Sequence, residues 1–405
     1  PPQACTPDWI PTFAGGTPGS NGYVEVAEVL NLGGGRELIA AGQFDVIGGI
    51  IAPGIAAWNG VSWCSLGQGL PYPSTVQSLT TFNDGTGTHL YASGQLALPG
   101  GQNCTVARWD GTSWSVAPGL STSMARAGEA LKVFNDGSRS KLYCLGRHNR
   151  ANGDEINGLA VFDGTGWTNA LDGSVYSTQN YLTSMTVFDD GTGPALYMGG
   201  GRSDYASLAT GARRIEGLAK LVGRHLEPVA TWFGYSPDEY VSSLIVHDPG
   251  SGAQIYASVH HGIYWGTAPG PSRVRSWSGS QWTDLRSPGG STTLLSDLAV
   301  LDDGSGPALF AAGRFDEIGG VLTEHLAKYD GTNWVSVGQA IDGGPQPTVF
   351  TLATGDLLGT GQKLFLGGYF ESAGPIAAKH IVQFDGAQWT PVAPASNSVS
   401  GCIAG

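Results

Sequence analysis

Charged residues, methionine and long apolar runs are all scarce in this 405-residue chain. Only 13% of its residues are charged, three are methionine, and no apolar segment reaches the roughly 18 residues that cross a bilayer. No long stretch carries the apolar stripe of a helix. Acidic residues outnumber Lys and Arg by 33 to 20, and the formal net charge of −13 argues against a nucleic-acid or anionic-membrane partner. A helical, membrane-spanning or nucleic-acid-binding protein is therefore not expected.

Motifs for catalysis and metal binding are also missing. The sequence has no P-loop, no HExxH segment and no apparent Ser-His-Asp arrangement. One compact set of metal-ligating types, His260, His261 and Tyr264, falls within a single predicted loop. We interpret these histidines as exposed loop residues, and no cofactor is expected.

Glycine, by contrast, is abundant, with 64 residues, and it marks a repeat. In each unit a short apolar segment ends in small residues and Gly, and an aromatic-Asp-Gly turn and a Trp follow. The first halves of the units begin at Leu38, Leu90, Leu142, Leu196, Ile255, Leu309 and Leu364, with a period of about 54 residues. A fixed period of this size indicates a repeat architecture.

Four short strands are predicted in each unit. In the fourth unit they run from Leu182 to Phe188, Ala195 to Gly199, Gly217 to Leu221 and His225 to Val229. A four-stranded sheet that cannot cover both of its faces, repeated seven times, predicts an all-β fold: a seven-bladed β-propeller with four antiparallel strands per blade.

The repeated Trp and Asp-Gly residues have structural interpretations. We expect Trp63, Trp114, Trp167, Trp282, Trp334 and Trp389 to fill the space between neighbouring sheets, the alternative being a ring of sugar-stacking platforms. Asp-Gly pairs such as Asp110-Gly111 and Asp190-Gly191 are typical of hairpin turns. Their spacing is not that of a calcium loop, although calcium at these turns is an alternative.

The repeat resembles a known family. A strand that ends in Gly-Gly, as at Gly199-Gly200, followed by a turn and Trp such as Tyr329-Asp330-Gly331-Thr332-Asn333-Trp334, resembles the kelch-type β-propeller repeat. The run from Ala311 to Gly331 is similar to repeats of secreted bacterial and Rax2-like surface propellers. The resemblance covers the whole chain. It implies a propeller fold and a binding role, but it does not imply a catalytic reaction.

The N-terminus carries an additional strand-like segment around Trp9, Ile10 and Phe13. We divide the chain into this segment (1–22), the propeller (23–394) and a tail (395–405). The extra strand either seals the ring on the last blade or pairs with an exposed strand of another molecule, which would build an oligomer or filament.

The five cysteines suggest two disulfides. Cys5 and Cys402 lie near opposite ends of the chain, which a closed ring brings together, and Cys64 and Cys104 could pair between neighbouring blades. Cys144 is expected to be a small buried apolar residue, and free buried thiols are the alternative for all five.

A ligand or partner face is predicted where the second strand of each blade leads into the third, because these connections vary most among the repeats. Its candidate residues are Arg147, His148, Arg150, Arg202, Tyr205, Arg213, Arg214, His260, His261, Tyr264 and Trp265. Solvated loops with local salt bridges are the alternative.

The expected function is that of a noncatalytic binding or structural surface module for a protein or a glycan. The alternative is a carbohydrate-binding or carbohydrate-active enzyme that uses the same face. Low charge, few lysines and a first residue, Pro1, that is not Met predict a processed protein that is secreted or held at the cell surface.

Overall fold

The computed structural model describes residues 18–117, 130–146, 150–151, 154–155, 158–176, 182–201, 203–207, 211–215, 217–229, 239–261, 272–285, 294–337 and 341–394. Within these ranges all regular elements are β-strands, and no helix has the length and apolar character needed to cross a membrane. The strands form seven antiparallel sheets of four strands, and five smaller sheets of two or three strands occur among the same residues. The all-β prediction with repeated four-stranded sheets is confirmed.

The seven sheets follow one another along the chain, and each is built from four successive strands apart from inserted hairpins. The first strands are Val24–Asn31, Thr75–Asn83, Ala130–Asn135, Leu182–Asp189, Glu239–His247, Leu294–Asp302 and Thr348–Gly355. The second strands are Arg36–Gly42, Thr88–Ala97, Ser140–Leu145, Pro194–Gly200, Gln254–His261, Pro307–Arg314 and Lys363–Tyr369. The third strands are Ile55–Trp58, Asn103–Trp109, Leu159–Phe162, Leu218–Val222, Arg273–Trp277, Leu326–Tyr329 and Ile381–Phe384. The fourth strands are Trp63–Ser65, Trp114–Val116, Trp167–Asn169, His225–Pro228, Trp282–Asp284, Trp334–Ser336 and Trp389–Pro391.

The second strands are deeply buried, and their sequences explain why. The segment from Leu309 to Ala312 has no exposed surface, because both faces of the strand pack against neighbouring sheets. The Gly that ends this segment has a different cause: a Cβ at Gly313 would clash with the backbone carbonyl of Leu294 on the paired first strand. In the fourth sheet Gly199, at the position of Ala312, also allows close packing, because a Cβ there would lie 2.8 Å from Cγ1 of Val241 in the next sheet.

The seven sheets form a closed ring. The first strand of each sheet contacts the first strand of the next, and the first strand of the seventh sheet contacts that of the first. Each junction has its own apolar core cluster, and the cluster at the closing junction joins Ala353 and Phe365 to Leu38 and Trp63. Four-stranded sheets arranged in this way around a central channel form a β-propeller.

Tryptophan indoles join the outer parts of neighbouring sheets. The indole Nε1–H groups of Trp63, Trp114 and Trp334 donate to the carbonyl oxygens of Val392, Leu66 and Leu285, at 3.0, 3.0 and 2.5 Å. Each acceptor directly follows the fourth strand of the preceding sheet of the ring. Five of the six repeated tryptophans are buried, and Trp282 is half-buried. The rings therefore belong to the interior, as their spacing predicts.

The cysteines differ from the expected pairing. Cys104 and Cys144 are free buried thiols, so the predicted bridge between Cys64 and Cys104 is wrong. The physical reason is packing: Cys104 is the second residue of the third strand of the second sheet and lies in the apolar cluster between the first two sheets. Cys64 is disulfide-bonded. The other two cysteines, Cys5 and Cys402, lie outside the described residues, as does the predicted strand around Trp9, Ile10 and Phe13.

Candidate functional site

A β-bulge recurs at one place in the first strands of six sheets. The residues at the register shifts are Glu25, Gln77, Thr183, Ser242, Ser296 and Phe350. The corresponding position of the third sheet lies outside the described residues. A bulge leaves one residue out of the ladder and re-aims its side chain. The six residues lie near the starts of the first strands, where they line one mouth of the central channel.

The channel has a volume of about 690 Å³ and is lined by the first strands of all seven sheets. We distinguish three levels of its wall. The mouth level consists of the six bulge residues. The middle level, one residue further along each strand, consists of Val26, Ser78, Ala130, Ser184, Ser243, Asp297 and Thr351. The inner level consists of Glu28, Thr80, Lys132, Ile245, Ala299 and Ala353.

Side chains of the middle level connect neighbouring sheets. The side-chain oxygens of Ser78, Ser184, Asp297 and Thr351 accept hydrogen bonds from the backbone N–H groups of Leu131, Leu244, Leu352 and Ala27, at 3.1, 3.1, 2.9 and 3.2 Å. The acceptor lies on one sheet and the donor on the next. The first strands are the inner edges of their sheets, and edge N–H groups need partners from outside the sheet. Most side chains of the middle level therefore hold neighbouring sheets together.

Asp297 is the acidic member of the middle level. Its Oδ1 accepts hydrogen bonds from Ser243 Oγ and from its neighbour Leu298 N, both at 2.8 Å, and its Oδ2 accepts from Leu352 N at 2.9 Å. Burial raises the pKa of Asp297, whereas these hydrogen bonds act to lower it. The carboxylate thus ties the fifth, sixth and seventh sheets together.

Two opposite charges face the lumen at the inner level. Glu28 is exposed to the channel but lies deep within the protein, so bulk water solvates it poorly. Removal from bulk water raises the pKa of Glu28 to about 7; Asp297 also raises it, and Lys132 lowers it. Within the described part of the chain, neither Glu28 nor Lys132 has an ion-pair partner within 4.0 Å. A carboxyl group in this state can gain or lose a proton near neutral pH.

Glu25 adds a third acidic group, at the mouth. Its Oε1 accepts a hydrogen bond from Gln43 Nε2 at 3.0 Å. Burial raises the pKa of Glu25, although this hydrogen bond lowers it. The described lumen therefore contains three carboxyl groups and one lysine.

Short hairpins stand on the face where second strands lead into third strands. Two-stranded hairpins occur in the first, third and sixth sheets, namely Val46–Ile47 with Ile50–Ile51, Arg150–Ala151 with Asp154–Glu155, and Glu317–Ile318 with Val321–Leu322. In the fourth and seventh sheets a strand from the preceding connection joins the hairpin, giving Gly173–Tyr176, Ser203–Ser207 and Gly211–Ile215, and Ile341–Asp342, Ser372–Ala373 and Ile376–Ala377. First strands begin on this face, so the hairpins surround the channel mouth.

Several residues of the predicted ligand face belong to these hairpins. Arg150 begins the hairpin of the third sheet. In the fourth sheet the backbone of Tyr205 pairs with Arg213, and that of Asp204 with Arg214. The other predicted residues Arg147, His148, Arg202, Tyr264 and Trp265 lie outside the described residues.

His260 and His261 do not lie in a loop, contrary to the expectation from sequence. Both belong to the second strand Gln254–His261 of the fifth sheet. The His260 side chain is only 3% exposed, and its ring stacks on Tyr240 with centroids 5.1 Å apart. The reason is that the second strand extends further here than the repeat pattern indicates.

The hydrogen bonds of His260 run toward the channel wall. Its Nε2 lies 2.7 Å from Ser242 Oγ, which donates to the carbonyl oxygen of Leu295 in the sixth sheet at 3.0 Å. Thr183 makes the equivalent bond from the fourth sheet to Val241 of the fifth, at 2.5 Å. His260 therefore supports a contact between sheets that another junction makes without a histidine.

The aspartates of the Asp-Gly turns are engaged in local hydrogen bonds. Asp110 Oδ1 accepts from Thr112 N and Ser113 N at 2.9 and 2.8 Å. Asp190 Oδ2 accepts from Lys220 Nζ at 2.7 Å. In the part of the chain that the structure describes, no three His, Cys, Asp or Glu side chains are arranged to hold a metal ion. Calcium at these turns stays a hypothesis.

Sequence reasoning did not single out Glu28, Lys132 and Asp297. A signal was present: equivalent positions on the first strands carry small, apolar or hydroxyl residues, for example Ala299 and Ala353 at the level of Glu28. A charged residue at these positions has meaning only once the first strands are known to face a channel. In addition, each bulge decides which face of its strand the following residues occupy, and its position is not visible in the sequence.

No known family matches the chain, and no curated protein matches it. Similar solved structures include BBS1N in complex with ARL6DN, Sqt1 from Saccharomyces cerevisiae and a GH74 xyloglucanase from Xanthomonas campestris. Their identities to the chain are 12, 11 and 12%, with TM-scores of 0.46, 0.43 and 0.38. The similarities cover 87, 87 and 94% of this chain and 91, 97 and 69% of those chains. Likenesses at this level establish neither a family nor an activity.

Proposed function

We propose that the chain is a noncatalytic binding module that holds its ligand at the hairpin-bearing mouth of the central channel. The observation that carries this proposal is the recurrent bulge, which places one residue of each of six first strands at the mouth of the channel and outside the sheet ladder. Five of the six bulge residues are polar, and hairpins surround them. A concave site with a few convergent polar groups is the usual form of a ligand pocket.

We further propose that the seven sheets are the blades of one kelch-type seven-bladed propeller. Seven junctions with seven core clusters, and the contact of the last sheet with the first, support this count. The resemblance of the repeat to kelch sequences supports the type.

The proposed ligand is a glycan or a protein met outside the cell. The exposed amide side chain of Gln77 at the mouth suits hydroxyl-rich ligands. The basic and aromatic residues of the predicted face, among them Arg213, Arg214 and Trp265, would extend this site along the hairpins. The disulfide of Cys64 supports an oxidising compartment.

A glycan array followed by titration of the best ligand tests the proposal. Gln77→Ala at the mouth and Trp265→Ala on the predicted face should each weaken binding at least tenfold without changing the circular dichroism spectrum. Gln281→Ala is the matched control, because Gln281 is exposed on a turn between third and fourth strands, away from the mouth. Binding that both variants leave unchanged would exclude this site.

A carbohydrate-active enzyme is the second candidate, favoured by the carboxyl groups of Glu28 and Asp297 in one channel. Two carboxyl groups whose environments differ are the usual requirement for glycoside hydrolysis. Asp297 has three hydrogen-bond donors, whereas Glu28 faces the lumen. Oligosaccharide turnover that Glu28→Gln abolishes would support this function, and binding without turnover would support the first.

The N-terminal strand is proposed to close the ring on its own molecule. Pro18–Ser20 lie between the seventh and first sheets: Lys379 N donates to Pro18 O at 2.7 Å, and Ser20 N donates to Lys379 O at 3.1 Å. Deletion of residues 1–17 should lower the Tm and leave a monomer by light scattering. A filament of the full chain that this deletion disperses would instead show pairing between molecules.

A further inference from the structure

The inner level of the channel is divided into a polar and an apolar side. Glu28 and Lys132 lie on the first and third sheets, with Thr80 of the second sheet between them. The three residues occupy equivalent positions, since they pair with Ile39, Tyr143 and Tyr91 at the same step of each second strand. An acid, a hydroxyl and an ammonium group thus stand side by side on the wall.

The opposite side of the same level is apolar. Ile245, Ala299 and Ala353 of the fifth, sixth and seventh sheets occupy the equivalent positions there. Hydroxyl groups at the middle level are largely used between sheets, so they compete little for a ligand at the inner level.

We propose that the channel binds a small zwitterion of the α-amino acid class, its ammonium group on Glu28, its carboxylate on Lys132 and an apolar side chain against Ile245, Ala299 and Ala353. The proposal rests on the proposed function in that both place the ligand in the channel. Two opposite charges that face a confined lumen without a mutual ion pair are poorly solvated, and a ligand that carries both counter-charges compensates both.

The proposal couples binding to a proton. Glu28 must be ionised to hold an ammonium group, and its pKa of about 7 in the free protein means that binding below pH 7 releases a proton. The other titratable or charged groups of the lumen are Glu25 on the same strand, Lys132, Tyr240 and Asp297. The second, fourth and seventh sheets contribute Thr80, Thr183 and Thr354, which do not titrate. Affinity should therefore rise up to tenfold per pH unit towards pH 7 and level off above it.

Isothermal titration with three matched ligands tests the inference. L-Leucine carries both charges, isopentylamine lacks the carboxylate, and 4-methylpentanoate lacks the ammonium group. We expect leucine to bind at least tenfold more tightly than either analogue at pH 7.5. At pH 6, heats measured in two buffers of different ionisation enthalpy should show proton release for leucine and isopentylamine, and none for 4-methylpentanoate.

Two variants assign the charges. In Glu28→Gln, leucine should bind no better than 4-methylpentanoate, and proton release should vanish. In Lys132→Met, leucine should bind no better than isopentylamine. Both replacements keep the size of the side chain, and circular dichroism checks that the propeller is folded.

Three results would overturn the inference: no heat with any of the three ligands, equal affinity of leucine and isopentylamine in the natural protein, or leucine binding that Glu28→Gln leaves unchanged. Glycan or protein binding that depends on Gln77, combined with any of these, would reject the zwitterion and retain the proposed function. Loss of both would reject the channel as a site.

Discussion

The indole N–H of Trp63 donates a hydrogen bond of 3.0 Å to the carbonyl oxygen of Val392, which lies 329 residues further along the chain. The bond joins the first sheet to the seventh. Trp114 makes the same bond from the second sheet to Leu66 of the first. The closing junction thus uses the same chemistry as a junction between consecutive sheets.

Trp63→Phe and Trp114→Phe should each lower the free energy of unfolding by about 1–3 kcal/mol, because each removes the donor from a buried carbonyl. Urea denaturation measures the loss. Tyr72→Phe, at a side chain that is 83% exposed, is the control and should have no effect. Full stability of Trp63→Phe would mean that this bond does not hold the ring closed.

Glu28 should make the protein less stable as the pH rises from about 4.5 to 7, whereas the lowered pKa values of His247, His325 and His380 act in the opposite direction below pH 6.5. The pKa of Glu28 is raised from 4.5 to about 7, so the folded state binds more protons than the unfolded state in this window, and deprotonation favours unfolding. Asp297 acts in the same direction. Between pH 4.5 and 7 the Tm of Glu28→Gln should fall less, or rise more, than that of the natural protein, whereas Asp45→Asn, at an exposed residue, should not alter the profile. Parallel profiles for all three proteins would contradict the assignment.

Cys104 should resist alkylation in the folded protein. Burial raises the pKa of its thiol to about 12, so almost no thiolate is present at pH 8. Mass spectrometry after iodoacetamide treatment should find Cys104 and Cys144 unmodified in native protein and modified after unfolding without reductant. Modification of Cys64 in the unreduced, unfolded protein would contradict its disulfide.

Asp190→Asn should destabilise the protein at pH 6 by about 1 kcal/mol and have a smaller effect at pH 2. Hydrogen bonds from Lys220 and then Thr192 hold the pKa of Asp190 well below its usual 3.8. A lowered pKa contributes stability that is fully present above pH 3.8 and is lost progressively as the pH falls from 3.8 through the lowered pKa. Thermal unfolding at pH 6 and pH 2 measures the difference, with Asp45→Asn at an exposed position as the control.

Removal of calcium should leave the Tm unchanged. The carboxylates of the Asp-Gly turns, for example Asp110 and Asp330, accept hydrogen bonds from backbone N–H groups two and three residues further on. Scanning calorimetry in EDTA and in excess calcium compares the two conditions directly. A rise in Tm with calcium that Asp110→Asn or Asp330→Asn reduces would show a cation at these turns.

The fold was predictable because its causes repeat. Each unit carries a buried second strand, and six of the seven carry the Trp. In the fourth unit Leu226 replaces the Trp and is fully buried opposite Leu221. Because the pattern occurs seven times, the repeat can be recognised even though one copy has lost its Trp.

The candidate site was less predictable because its residues do not repeat. Glu28, Lys132 and Asp297 each occur once, on strands whose other residues form the core. For His260 the prediction was wrong in the other direction. The sequence placed it in an exposed loop, whereas the second strand of the fifth sheet extends to include and bury it. The missed lumen residues and the misplaced histidine both depend on how neighbouring sheets pack. The repeat pattern of a single unit carries no information about that packing.

The recurrent bulge allows residues at the channel mouth to be exchanged independently where, unlike Thr183 and Ser242, they do not bond to the next sheet. A bulge residue such as Gln77 or Ser296 has no partner residue across the ladder, so a mutation there disturbs neither register nor pleat. Evolution could therefore change the side chains at such positions one first strand at a time, while the ring of sheets keeps its structure.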